Sequence, residues 1–348
     1  MKKRHTAGLL GAAAALCALT IATAIDAAPN AVPSGYKGIE AKLPTQYKIP
    51  ARRSGTSCTI GFQSPIAANE TLSYWQRAVV AQGRAYGCRV ITLDDALDPD
   101  KQVSNMEQLL AQDADVIIFY PLDPKATTPV LRRAQRQGVS VLAVDASFGN
   151  TKPVPLITSQ VWQGRDIQAY LQAQAMARAK RGAKVGLIGI GVPVPALKYL
   201  NRREAYWARR MGLDVVGTRD NPSDDVTGGE RAANGLLQAY SDMDAVIGYN
   251  DPSALGAVVA ARGAGRDLTI VGLNGSSDGV SAVKAGRIAG TVQVDPVGWG
   301  RQLVYAAYSL ITKQNLPLPK IIVRPATVIT KANVDKVPTW AKQVQAIR

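Results

Sequence analysis

The chain has 348 residues, which is enough for two domains with separate hydrophobic cores. Its formal net charge is +15, but the basic residues occur in short, dispersed pairs and not in a stripe interleaved with aromatic residues, which argues against a nucleic-acid partner. The single histidine, His5, lies near the start, which excludes Ser-His-Asp and Cys-His catalysis and most zinc sites from the rest of the chain. We therefore expect a binding protein and not an enzyme, with no metal and no cofactor.

Residues 1–28 have the pattern of an export signal: a positively charged start, an apolar run rich in Ala and Leu, and small residues suited to cleavage. Gly11, Thr20 and Thr23 interrupt the apolar run, which makes a retained membrane anchor the weaker alternative. Loss of this segment removes three cations and one anion and leaves a net charge of +13. We predict a periplasmic protein.

Residues 29–55 are dotted with Pro and Gly, which predicts an arm or linker that lies on the surface without a core of its own. Cys58 and Cys88 then each begin an apolar run, and in adjacent parallel strands they would lie at the same end of the sheet. An even number of cysteines in an exported chain favours a disulfide. We expect a Cys58–Cys88 bond that closes a loop of about 30 residues and contributes about 3–4 kcal/mol to stability.

From Cys58 onward, short apolar runs alternate with helical segments, which is typical of a parallel sheet covered on both faces. In the first half of the chain we predict strands at 58–63, 89–93, 116–119 and 139–144, and helices at 71–86, 99–112 and 126–137. A second set has strands at 156–158, 184–190, 214–218, 245–248, 269–273 and 288–294, and helices at 163–179, 195–211, 228–240, 253–262, 277–285 and 296–312. An extended tail at 321–330 and a partly helical segment at 333–347 follow. Two successive sets of βα units predict an α/β fold with two doubly wound parallel-sheet lobes.

Polar residues end two of the predicted strands. Asp145 ends one, and Tyr249, Asn250 and Asp251 end another, just before Pro252, which suits the first turn of a helix. In open α/β sheets, ligands bind at the carboxyl ends of the strands. Taken alone, Asp251 is either a helix cap or a ligand contact. The second strand-end acid, Asp145 in the other lobe, favours ligand contact, with capping as a role that one carboxylate can combine with it.

Six segments, in this order, resemble periplasmic sugar-binding proteins of the ribose- and galactose-binding type, which serve ABC importers. They are TIGF in the first strand, VIIFYPLDPKA after the third, VSVLAVD, YNDPSALGA, IVGLNGSSDGVSAVKAG and VITKANVD, and together they extend over about residues 57–335. The resemblance implies a clamp whose lobes are joined by a three-strand hinge, with crossings near 157–160, 294–296 and 323–325. It also implies hinge closure over a ligand and recognition of the closed form by a membrane permease.

The resemblance divides the chain into an N-terminal lobe, 56–157 plus 296–323, and a C-terminal lobe, 158–295 plus 324–348. It implies a monomer that binds a sugar or sugar-like polyhydroxy compound and delivers it to an ABC permease in the inner membrane. The alternative is a periplasmic sensor that presents such a ligand to a chemoreceptor or sensor kinase.

We predict ligand contacts from polar side chains at strand ends and in the loops after them, most of them at positions where the family binds its sugar. The predicted contacts are Ser64, Asn69, Tyr120, Asp145, Lys198, Asn250, Asp251, Asn274 and Gln293.

Three departures from the family pattern leave the ligand open. Ala146 stands where an arginine often follows the strand-end Asp, Leu200 stands near another expected arginine, and residues 70–72 replace two aromatics that sandwich the sugar ring. Lys198 and the positive net charge make an acidic ligand worth testing. A replacement ring would come from one of four tryptophans: Trp75, Trp162, Trp207 or Trp299.

Overall fold

A computed structural model describes residues 32–147, 152–192, 194–324 and 326–348. The predicted export signal, 1–28, lies outside these ranges. The strands are β1 (Thr59–Ser64), β2 (Arg89–Asp94), β3 (Val116–Phe119), β4 (Ser140–Val144), β5 (Ser159–Trp162), β6 (Lys184–Ile190), β7 (Asp214–Asn221), β8 (Ala245–Gly248), β9 (Thr269–Asn274), β10 (Gly290–Gln293), β11 (Ile321–Val323) and β12 (Thr327–Ile329).

The helices alternate with these strands through most of the chain. They are α1 (Glu70–Ala85), α2 (Pro99–Ala111), α3 (Pro124–Arg136), α4 (Arg165–Ala179), α5 (Pro195–Arg210), α6 (Val226–Ala239), α7 (Asp251–Gly263), α8 (Ser277–Lys284), α9 (Pro296–Ile311) and α10 (Trp340–Gln345), preceded by a short 3₁₀ helix, Ile39–Lys42.

The strands form two six-stranded sheets with the same order. The first sheet runs β2-β1-β3-β4-β5-β11 and the second runs β7-β6-β8-β9-β10-β12. All pairs are parallel except β10 with β12, which is antiparallel. Helices cover the faces of both sheets, so β3 and β8 are wholly apolar and buried, and β1 is buried from its second residue onward. The prediction of two doubly wound α/β lobes is confirmed.

The Cys58–Cys88 disulfide is present, with the two Cα atoms 4.7 Å apart. The register of β1 and β2 pairs Thr59 with Arg89, so the two cysteines immediately precede paired residues of neighbouring parallel strands. The argument from strand position is therefore confirmed.

The first crossing between lobes lies later than predicted. We expected a short strand at 156–158 and a lobe boundary at 157, but β5 begins at Ser159 and pairs with β4 and β11 in the first sheet. Its sequence, SQVW, alternates polar and apolar residues and did not resemble a buried strand. Two of its polar side chains are nevertheless hydrogen-bonded: Ser159 bonds the Tyr47 hydroxyl, and Gln160 Oε1 accepts from the Ser147 amide. The chain thus passes to the second lobe at 163–164.

The chain crosses twice more, between β10 and α9 and between β11 and β12. The end of the chain returns to the first lobe, where α10 packs against α1 and α9. The Trp340 ring lies 5.6 Å from the Tyr74 ring, and its Nε1 donates to the Val294 carbonyl oxygen at 3.1 Å. Residues 324–348 are therefore shared between lobes, although they were all assigned to the second.

The N-terminal arm crosses the hinge on the surface of the molecule and inserts single side chains into it. Glu40, only 1% exposed, accepts from the backbone amides of Asp166 and Ile167 at 3.0 and 2.9 Å, in the first turn of α4. Further along the arm, Pro44 accepts from the Val323 amide at 2.8 Å and the Tyr47 hydroxyl donates to Gln160. The arm thus contacts both lobes, more intimately than its Pro- and Gly-dotted sequence indicated.

Candidate functional site

A cleft lies between the lobes, at the carboxyl ends of strands from both sheets, where ligands bind in open α/β folds. It contains about 610 Å³ of space between protein atoms, part of which is open to solvent. Its polar lining residues are Asn69, Thr71, Tyr120, Gln163, Arg165, Asp224, Tyr249, Asn250 and Asn274. Four of the predicted contacts, Asn69, Tyr120, Asn250 and Asn274, are among them.

The second lobe contributes a hydrogen-bonded cluster centred on Asp224, in the loop between β7 and α6. Its Oδ1 accepts from the Tyr249 hydroxyl and, at 2.6 Å, from Asn250 Nδ2. Asn250 is the N-cap of α7, where its Oδ1 accepts from the Ser253 amide at 2.9 Å. The helix and the carboxylate therefore fix both ends of the Asn250 amide, which leaves the Asp224–Tyr249–Asn250 cluster as a preformed polar surface.

Asn69 reaches this cluster from the first lobe. Its Oδ1 caps α1 by accepting from the Leu72 amide, and its Nδ2 donates to Asp224 Oδ2 over a long 3.4 Å. At an exposed edge, the Glu70 carboxylate accepts from the Ser277 amide and hydroxyl at 3.0 and 2.5 Å. The lobes thus touch through direct hydrogen bonds on the open side, which is a closed arrangement of the clamp.

A buried ion pair forms the end of the cleft nearest the hinge. Asp145, 1% exposed, ends β4, and its Oδ2 accepts from Nε and Nη2 of Arg165 at 2.8 and 2.7 Å. The backbone amide of Gln163 donates to Oδ1, and the Tyr120 hydroxyl donates to Oδ2 at 3.3 Å. Burial raises the pKa of Asp145, whereas the charge of Arg165 lowers it. Arg165 and Tyr120 line the cleft, but Asp145 lies behind them and does not.

Asp251 also lies away from the cleft. It is wholly buried, and its Oδ2 accepts from the amide and hydroxyl of Ser276 at 2.7 and 2.8 Å, while Oδ1 accepts from the Thr291 hydroxyl at 2.6 Å. Burial raises the pKa of Asp251 to about 6, although these hydrogen bonds lower it. The structure therefore revises our interpretation of Asp251: Asn250 is the cap of α7, and Asp251 ties α7 to α8 and β10.

Three other predicted contacts do not line the cleft. Lys198 Nζ donates to the Ile190 carbonyl oxygen and forms an ion pair with Asp220 at 2.7 Å. Ser64 is fully buried at the end of β1, and Gln293 pairs with Asn274 in the sheet without reaching the cleft. Ser64 and Gln293 follow the strand-end rule but have their side chains directed elsewhere, whereas Lys198 lies in α5 and not at a strand end.

Asn274 does reach the cleft, at the end of β9. Its φ of 116° is a backbone conformation that few residues other than Gly adopt, and its side-chain amide makes no hydrogen bond to another described residue. An amide held at a cleft surface with unused donors and acceptors is suited to a ligand.

Aliphatic side chains take the place of the expected aromatic sandwich. Leu72, at the start of α1, lines the cleft where an aromatic residue was expected. Of the four tryptophans, Trp299 alone is among the residues that line it; Trp75 and Trp162 are fully buried in the core. The remaining apolar lining consists of Pro65, Ile66, Leu97, Leu122, Ile190, Val194 and Leu197. These walls can pack against the C–H groups of a ligand from both lobes.

Sequence reasoning missed five polar residues of the cleft: Thr71, Gln163, Arg165, Asp224 and Tyr249. Gln163 and Arg165 follow β5, the strand whose position was wrong, so the strand-end rule was applied too early. Asp224 lies in a polar loop after β7, NPSDD, and the same rule applied there would have found it. Tyr249 stands beside Asn250 and was noted as polar but not selected.

Within the described ranges, no cluster of three or more His, Cys, Asp or Glu residues is arranged to hold a metal ion. No helix in the same ranges is long and apolar enough to cross a bilayer.

Two matching α/β lobes, three crossings and a ligand-sized cleft at the strand ends define a two-lobed binding protein. Residues 60–315 match the family model for the periplasmic binding protein domain, and the chain belongs to this family. The family consists of substrate-binding proteins, which have no enzymatic activity.

Individual relatives are similar over most of the chain. The ribose import binding protein RbsB of Bacillus subtilis is 28% identical over 253 residues, which is 73% of this chain and 81% of the relative. The xylitol-binding protein of Mycolicibacterium smegmatis is 29% identical over 245 residues, which is 68% of this chain and 67% of the relative. The solved structure of an ABC transporter solute-binding protein from Bacillus halodurans, with bound myo-inositol, matches with a TM-score of 0.71 at 23% identity. The match covers 81% of this chain and 98% of the solved one.

Proposed function

We propose that this chain is the substrate-binding component of an ABC importer and holds a sugar or sugar-like polyhydroxy ligand between its lobes. The observation that carries the proposal is the cleft itself. Polar groups from both lobes meet there beside aliphatic walls, so a compound with hydroxyl groups and exposed C–H groups is complementary to it.

The contacts across the cleft indicate how such a ligand binds. The Asn69–Asp224 bond is long at 3.4 Å, and the Asn274 amide has no partner among the described residues, so these three groups are available to hydroxyls. Asn250 adds a fourth polar group, an amide that is already oriented by α7. Lobe closure excludes water from these bonds and strengthens them.

The relatives support import over the sensor alternative. The relatives include proteins that are named as import binding proteins, such as the ribose import binding protein RbsB. Another relative is named for xylitol, so the named ligands include a pentose and a polyol. Residues 1–28 act as the export signal in this proposal, and the Cys58–Cys88 disulfide suits the oxidising periplasm. The protein works as a monomer and delivers its ligand to a permease in the inner membrane.

A thermal-shift screen of ligand-free mature protein against pentoses, hexoses, furanose-forming sugars, polyols and cyclitols tests the proposal. A true ligand raises the melting temperature with concentration. For that ligand, Asn274→Ala weakens binding by about 10-fold, the value of a typical hydrogen bond. Gln293→Ala, one strand away and outside the cleft, is the matched control and changes affinity less than twofold. Absence of any binding, or equal effects of the two variants, contradicts the proposal.

A further inference from the structure

The cleft of this basic protein carries an unbalanced negative charge. Among the described residues that line it, Asp224 is the acidic side chain and Arg165 the basic one. Arg165 is already neutralised, because Nε and Nη2 both bond the buried Asp145 carboxylate behind it. Lys198, which sequence reasoning placed in the site, is paired with Asp220 outside the cleft lining. The charge of Asp224 therefore remains without a cationic partner in the cleft.

All the hydrogen-bond partners of Asp224 are neutral. Oδ1 accepts from the Tyr249 hydroxyl and from Asn250 Nδ2, and Oδ2 has the single long contact with Asn69 Nδ2. Burial raises the pKa of Asp224, whereas the hydrogen bonds from Tyr249, Asn69 and Asn250 lower it. The carboxylate thus has one well-bonded oxygen and one oxygen with room for a strong donor.

We propose that the ligand carries a protonated amine that binds Asp224 Oδ2, so that it is an amino sugar or an aminated polyol. This inference rests on the proposed function, and it specifies the ligand class of the same cleft. The hydroxyls of a neutral ligand can donate hydrogen bonds to Asp224 but supply no counter-charge, whereas an ammonium group both donates and neutralises the carboxylate in a closed cleft. A carboxylate-bearing ligand would place a second anion beside Asp224 and is disfavoured, contrary to the acidic ligand that Lys198 and the net charge suggested.

Matched ligands on one scaffold separate charge from shape. For the glucose, galactose and mannose series, isothermal titration compares the neutral hexose, its 2-amino-2-deoxy derivative and its uronic acid, at about pH 6, where the amine is protonated. In at least one series we expect the amine to bind about 10- to 100-fold more tightly than the neutral hexose, because the hydrogen bond becomes charge-assisted on both sides. The uronic acid binds most weakly.

Asp224→Asn tests the residue, since it keeps the size of the side chain and removes the charge. The amine-to-hexose affinity ratio falls to about one in this variant. Asp225→Asn is the matched control: it removes the neighbouring charge, which caps α6 and lies outside the cleft lining, and it leaves the ratio unchanged. Unaltered melting temperatures verify that both variants are folded.

The outcomes are distinct. If neutral hexoses or uronic acids bind as tightly as the amines, the inference is wrong and the proposed function stands. If the amine is preferred but Asp224→Asn keeps that preference, the assignment to Asp224 is overturned. If neither these compounds nor the neutral pentoses, polyols and cyclitols bind, the proposed function fails.

Discussion

Asp145 and Asp251 occupy comparable places in the two lobes, at the carboxyl end of a buried strand or just after it, and both are inaccessible to solvent. They are compensated in different ways. Asp145 is held by a cation, Arg165, which belongs to a helix of the other lobe. Asp251 is held only by hydroxyl and amide donors of its own lobe, from Ser276 and Thr291.

This difference separates two structural roles that look alike in sequence. The Asp145–Arg165 pair joins the lobes at the first crossing, so its energy depends on the hinge arrangement. The Asp251 network joins α7, α8 and β10 within the second lobe, so it is insensitive to the position of the other lobe. Neither carboxylate is exposed to the cleft, and both contribute chiefly to stability.

Removal of Arg165 is expected to have the largest effect. Arg165→Leu leaves the Asp145 carboxylate buried without its cation, and breaking a buried pair from one side costs about 3–5 kcal/mol. Urea unfolding at neutral pH, followed by circular dichroism, measures the free energy of unfolding. Replacing both residues, Asp145→Asn with Arg165→Leu, removes the stranded charge, and we expect the double variant to recover at least half of the loss. Equal losses in the single and double variants would show that charge compensation is not what the pair supplies.

The second effect is the pH dependence of stability that originates at Asp251. Burial raises the pKa of Asp251 from 3.8 to about 6, so the folded state binds this proton more tightly than the unfolded state does. The resulting stabilisation is fully present below about pH 3.8 and is lost as the pH rises through about 6. Over this range the contribution of Asp251 to the free energy of unfolding falls by about 3 kcal/mol.

Asp251→Asn cannot ionise and keeps an acceptor oxygen, so this slope should vanish in the variant. Urea unfolding at pH 4, 5, 6 and 7 supplies the difference between wild type and variant at each pH. Asp225→Asn provides a contrast of opposite sign, because the hydrogen bond from the Gly228 amide lowers the pKa of Asp225. A wild-type curve parallel to that of Asp251→Asn would refute the assignment.

The sequence was sufficient to predict features with local causes. The apolar runs identified most of the strands in both sheets, and the positions of Cys58 and Cys88 before two of them predicted the disulfide. Asn250 was found because it lies just after a strand, and Asn69 and Asn274 because they match positions at which the resembling family binds its sugar.

Features that depend on distant partners could not be predicted in this way. Whether a strand-end acid faces the ligand or the core depends on residues such as Arg165 and Thr291, which lie 20 and 40 positions away. β5 was misplaced because its polar residues are buried against distant partners, the Tyr47 side chain of the arm and the Ser147 backbone amide. The arm itself has no hydrophobic period, so the burial of Glu40 left no pattern to recognise.

The smallest expected effect concerns that arm and the helix that carries Arg165. α4 begins after Gly164, whose φ of 70° requires a residue without a Cβ and which offers no capping side chain. Glu40 supplies the cap from outside, bonding two amides of the first turn and the Trp162 indole N–H.

Glu40→Gln places an amide N–H₂ against these donors and should cost about 1–2 kcal/mol, the value of a helix cap. Ile39→Ala, at a neighbouring residue that is 51% exposed, is the control and should be near neutral in the same urea titration. If the two variants unfold alike, Glu40 does not hold the start of α4, and Arg165 is positioned by its own contacts with Asp145, Gln168 and Tyr120.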